Sequence, residues 1–73
     1  MPKNIWTTPH QQGWANIREG ASRASSVHST QREAASAGRE MACRDNVEHF
    51  IQRSNGQIRE RNSYGNDPVR SKG

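Results

Sequence analysis

The stretch that decides the fold runs from Gly13 to Ala42 and reads GWANIREGASRASSVHSTQREAASAGREMA. Its second half is a helix with a clear start signal. Thr30, followed three residues on by Glu33, is a capping box: the Thr30 hydroxyl accepts a first-turn amide and Glu33 reaches back to the Thr30 amide. Ala34, Ala37, Gly38, Met41 and Ala42 recur at helical spacing and make a narrow face of mostly small groups, with Arg32, Arg39, Glu40 and Arg44 opposite. So little apolar area cannot hold a helix by itself, so docking close to a flat partner must stabilise it. The helix runs through roughly Arg44 and stops at Asp45-Asn46, with Asn46 suited to a left-handed cap.

The first half of the stretch, Trp14 to Glu19, has strand character, and alternation puts Trp14, Asn16 and Arg18 on one face and Ala15, Ile17 and Glu19 on the other. Neither face is cleanly apolar, which calls for a bulge or for burial on both sides. Upstream, Asn4 to Thr8 is β-branched and aromatic and makes a first strand, ended or held at an edge by Pro9. The loop between them suits a hairpin. Gly20 to Ser29 reads as an ordered loop of small polar residues with Val27 its only sizeable apolar group. Downstream, Val47 to Arg53 and Gln57 to Asn62 flank Asn55-Gly56, the signal of a two-residue hairpin turn. That turn puts Val47, Ile51 and Ile58 on one face and Phe50, Gln52, Arg59 and Arg61 on the other. The order is ββαββ, an α+β domain of two antiparallel hairpins forming a three- or four-stranded sheet with one helix packed across it. Residues 1–3 are a flexible lead, 4–65 the single domain, and 66–73 a frayed, disordered basic tail.

Several of these residues together resemble a bacterial family known as domain-of-unknown-function family 2188. The resemblance covers residues 4–68. It rests on Gly13-Trp14, on Glu19-Gly20-Ala21-Ser22-Arg23-Ala24, on Thr30, and on Gly56…Ile58-Arg59-Glu60-Arg61…Tyr64-Gly65. It implies a small α+β domain and, by the family's name, no assigned activity. The chain departs from the family at Asn16 and His49, where members usually or often carry apolar residues.

Composition narrows function mainly by exclusion. Seventy-three residues with 29% apolar content make one domain with a thin core. The single cysteine, Cys43, allows no intramolecular disulfide and no thiolate cage, so a reducing compartment is expected and Cys43 is read as a small packing residue. No apolar run approaches a membrane span, which points to a cytoplasmic protein of bacterial or phage type. His10, His28, His49 and Cys43 lack zinc-ligand spacing, so no metal or other cofactor is expected. No pair of carboxylates forms a recognisable acid/base couple, and no Walker-type phosphate loop occurs. The expectation is a non-enzymatic protein without a small-molecule substrate.

The basic residues carry the remaining signal. The net charge is +4, and of the eleven basic side chains nine are Arg, the residue suited to bidentate phosphate contacts. Arg18, Arg23, Arg53, Arg59 and Arg61 fall on strands or loops, with Trp6, Trp14, Phe50 and Tyr64 in neighbouring segments. Basic groups beside flat aromatic rings suit nucleic acid, and Arg18, Arg23, His28, Arg53, Arg59, Arg61 and Tyr64 are the candidate contact residues. The bland reading is a solvated basic surface and core tryptophans, with Trp14 the anchor of the first hairpin. The competing functional class is a protein-interaction module, with a homodimer as its simplest form or docking of a phage or mobile-element accessory onto a larger partner.

Overall fold

The structure, a computed structural model, describes residues 3–64. The expected basic tail at 66–73 lies outside them. The elements are β1 (Ile5–His10), β2 (Gly13–Arg18), β3 (Ser26–His28), α1 (Gln31–Asp45), β4 (Glu48–Gln52) and β5 (Ile58–Ser63). The strands form one sheet in the order β3-β2-β1-β4-β5. The α+β class and the single helix across a sheet agree with the sequence.

The sheet departs from that reading in two ways. It has five strands, because Ser26–His28, read as loop, pairs antiparallel with Trp14–Asn16. Three residues with one apolar side chain carry no periodic signal, and the strand exists because β2 offers an open edge. The two hairpins are also joined by a parallel pair, Ile5–Thr7 against His49–Ile51. A parallel join needs a long crossover, which α1 supplies. Beyond Thr7 the β4 pairing stops, so Pro9 continues β1 without interrupting a ladder on that side.

The helix termini follow the sequence closely. The Thr30 hydroxyl accepts from the Glu33 amide at 3.1 Å. The Glu33 carboxylate, however, accepts from the Ser29 hydroxyl at 3.1 Å. Asn46 adopts the left-handed region at φ 58° and ψ 49°. The Val47 amide then donates back to the Ala42 carbonyl at 3.0 Å, a Schellman closure. Ala34, Gly38 and Ala42 are the buried side of the helix. Cys43 is exposed, which corrects its reading as a packing residue: it lies one residue past that narrow stripe.

The second hairpin also differs in detail. The Arg53 amide donates to the Gln57 carbonyl and the Gly56 amide to the Arg53 carbonyl, leaving a three-residue loop, Ser54–Gly56. Only Gly56 takes positive φ, at 92°, whereas the two-residue turn expected for Asn-Gly needs it at Asn55 as well. In β5, Ile51 pairs with Glu60 but Gln52 pairs with Ile58, so Arg59 is an extra residue at a bulge. The bulge breaks the alternation assumed from the sequence. Ile58 leaves the face of Ile51 and stands 50% exposed.

The space between helix and sheet holds an unusual core. Ile5, Ala34, Ala42 and Ile51 are buried there, and so are Thr7, Asn16 and His49, all at 1% exposure or less. A β-carbon at Gly38 would lie 2.5 Å from Asn16 Oδ1, 2.7 Å from His49 Nε2 and 2.9 Å from Thr7 Oγ1. Glycine therefore lets the helix backbone rest directly on a polar cluster. Trp14 is half-buried opposite Pro9 and His28.

Candidate nucleic-acid interface

The hydrogen bonds of the polar cluster have one consistent direction. Asn16 Nδ2 donates to the Ala34 carbonyl at 2.8 Å and to Ser26 Oγ at 3.1 Å. A carbonyl only accepts, so Asn16 Oδ1 must be the end that meets Thr7 Oγ1 at 2.5 Å, and it receives the Thr7 hydroxyl proton. Thr7 Oγ1 has spent its one proton and must accept from His49 Nε2 at 2.7 Å. His49 is thereby the Nε2–H tautomer, and its Nδ1 keeps a lone pair that is buried without a partner among the described residues. Burial holds the His49 imidazole below its usual pKa, against the opposing pull of Glu60. The departures from the family at Asn16 and His49 are thus two members of one buried network.

Two strand faces result, and α1 covers only one. Ladder partners share a face, so Ile5, Thr7, Asn16, His49 and Ile51 lie under the helix, whereas Trp6, Ile17, Phe50 and Arg61 lie on the other side. Ala15 is fully buried although it is on that side, between Thr8 and Val27 on the flanking strands. This two-sided burial resolves the ambiguous alternation of β2, whose pairing with β1 is unbroken. On the open side Trp6 and Phe50 stack at 4.4 Å between ring centroids and 21° between planes. The Trp6 indole N–H donates to Glu19 Oε2 at 3.2 Å, which fixes the ring's tilt. Arg61 stands directly across the ladder from Phe50.

The structure separates the candidate residues into groups. Arg18 is committed to the helix end: its guanidinium pairs with Asp45 and donates to the Lys3 carbonyl. The Arg18 hydrogen bond and charge hold the Asp45 carboxyl below its usual pKa. Arg59 turns toward the helix start, where Nη1 donates to Gln31 Oε1 at 2.6 Å. This corrects its placement beside Arg61 and follows from the bulge. His28 lies on β3, half-buried, with Nε2 3.0 Å from Ser26 Oγ. Arg23 and Arg53 are exposed in their loops, with no side-chain hydrogen bond or ion pair to a described residue. Tyr64 is half-buried just past β5. Of the seven, Arg61 stands across from Phe50 on the aromatic face, and Arg18, though committed to Asp45, borders the depression beside Trp6.

The residues that sequence reasoning did not combine are Trp6, Phe50, Ile17 and Glu19. They meet in and around a shallow depression on the open face, lined by Trp6, Thr8, Ile17, Arg18, Glu19, Gly20, Ala21 and Gln52. The signal was hidden because Trp6 meets Phe50 only through the parallel β1–β4 pairing. Among the described residues no three His, Cys, Asp or Glu side chains cluster as a metal site. No helix among them is long and apolar enough to cross a membrane.

A mixed sheet with one helix-covered face and one open aromatic face defines a small α+β protein that presents a sheet surface. The chain belongs to the bacterial family described as "Uncharacterized protein conserved in bacteria (DUF2188)", whose family model matches residues 5–64. No curated protein and no solved structure matches the chain.

Proposed function

We propose that this is a non-enzymatic protein that binds single-stranded nucleic acid on the open face of its sheet. The observation that carries the reading is the half-buried Trp6 ring on the face the helix leaves uncovered, backed by Phe50, itself only 9% exposed, with Arg61 across the ladder from Phe50. Flat rings on a sheet stack on any base, and neighbouring arginines meet the phosphates. Arg23 and Arg53, exposed in their loops, complete the proposed contact set. Arg18 and Arg59 leave the contact set for structural roles, and His28 and Tyr64 remain at its margins. A cytoplasmic bacterial or phage setting suits such a protein.

The test is fluorescence anisotropy of labelled single-stranded RNA and DNA at about 20 mM and about 200 mM salt. Binding is expected to be strongest at low salt and to fall steeply as phosphate contacts are screened. Arg61→Ala is expected to weaken binding and flatten the salt dependence, with its fold checked by circular dichroism. Absence of binding at the lower salt overturns the reading.

A second reading draws on the same open face and on β5, a six-residue edge strand. Here the partner is protein, a homodimer being the simplest case, and the role is that of an accessory encoded by a phage or mobile element. Sedimentation across a concentration series distinguishes it.

A further inference from the structure

We propose that the depression beside Trp6 is a pocket for a guanine base, a specificity that rests on the open-face reading above. The pocket has a flat wall and an acceptor at its rim. Trp6 borders the depression and is stacked on Phe50, which backs it. Glu19 sits at the end of β2, held there by its backbone amide donating to the Asn4 carbonyl at 2.9 Å. Its Oε2 accepts from the Trp6 indole N–H and its Oε1 from Asn4 Nδ2 at 3.4 Å. Each oxygen accepts one bond and keeps a further lone pair.

A carboxylate selects among bases by what it can accept. Guanine offers N1–H and N2–H side by side on its Watson–Crick edge, two parallel donors at the spacing of two carboxylate oxygens. Adenine and cytosine place a ring nitrogen acceptor next to their amino group, where it meets the second oxygen with like charge. Uracil has one N–H between two carbonyls. Charge-assisted bonds of the bidentate kind are the strong ones, and single-stranded recognition commonly joins stacking to reading of this edge. A carboxylate on a face that meets phosphates repels them, so bidentate pairing with a base gives its presence a purpose beyond orienting Trp6.

The experiment titrates the full chain with three labelled RNA strands of about seven nucleotides: all uridine, the same with a central guanosine, and the same with a central adenosine. The guanosine strand is expected to bind about tenfold tighter than the other two, as a bidentate base contact warrants. Glu19→Gln still accepts the Trp6 N–H through its amide carbonyl but loses the paired acceptors. It is expected to bring the three strands within about twofold of one another. Equal affinities in the wild type, with binding present, overturn the pocket and leave the open-face reading standing. Retention of the guanosine preference by Glu19→Gln overturns it as well. No binding of any strand at low salt overturns both.

Discussion

The two faces of the sheet invert the usual allocation of residues. The face under α1 buries Thr7, Asn16 and His49 completely, while the face without a helix carries Trp6, Ile17, Phe50 and the half-exposed Ile58. Large aromatic groups are the natural filling of a core, and buried polar groups are costly unless fully bonded. The covered face meets that condition at every link of a directed chain of hydrogen bonds from His49 Nε2 to Ser26, leaving His49 Nδ1 as its one unpartnered atom among the described residues, and the small Ala34–Gly38–Ala42 stripe brings the helix near enough to join it. The covered face is therefore specified by hydrogen bonding at close approach. The open face keeps Trp6 and Ile17 half-exposed, with Phe50 stacked on Trp6 and only 9% exposed.

That contrast is most severely stressed at Gly38. Gly38→Ala drives a β-carbon into Asn16, His49 and Thr7 at 2.5–2.9 Å. Overpacking of about 1–3 kcal/mol and loosened bonds of about 1 kcal/mol each exceed the gain of about 1 kcal/mol in helix propensity. Urea unfolding should show a net loss of about 2–3 kcal/mol, a large share of the stability of so small a domain. A variant as stable as wild type would mean that the helix does not sit on the polar cluster. Asn16→Ala comes next. It leaves the Thr7 proton without a partner and strips the Ala34 carbonyl of its second, side-chain donor, and should cost about 2 kcal/mol by the same measurement.

Acidification tests the covered face without mutation. The His49 pKa is lowered by burial, so below the ordinary value of 6.5 the unfolded chain binds a proton that the folded chain resists. The unfolded state then holds more protons, and stability falls as pH drops through that range. The Asp45 pKa is lowered by Arg18, which adds a second loss at more acidic pH, below 3.8. Thermal midpoints between pH 8 and pH 5 should decline in the wild type and decline less in His49→Gln. Parallel curves would show that another group is responsible. The smallest effect is expected at the helix start, where Thr30→Ala removes the acceptor for the Glu33 amide and should cost about 1 kcal/mol in urea unfolding.

The parts legible in the sequence were those set by local rules. Thr30, Asn46 and the small helix stripe act within a few residues of themselves, and each stood where its chemistry requires. The parts that escaped depend on which strands become neighbours. Ser26–His28 is a strand only because β2 has an edge, and Trp6 meets Phe50 only because β1 and β4 run parallel. The Asn-Gly signal was genuine, but its turn took three residues, and the β5 bulge that follows moved Ile58 and Arg59 off their expected faces. Of the arginines, neither the Arg18–Asp45 nor the Arg59–Gln31 bond could be seen without the helix in place. The polar core had a signal, Asn16 and His49 in family positions that are usually or often apolar, but their mutual bonding through Thr7 did not follow from it.

Amide chemical shifts read occupancy of the open face residue by residue. Titration of isotope-labelled protein with a short single-stranded RNA at low salt should shift the amides of Trp6, Thr8, Ile17, Phe50 and Arg61, and leave Arg32, Ser36 and Arg39 on the helix in place. Shifts centred on the helix, or no shifts at all, would contradict it.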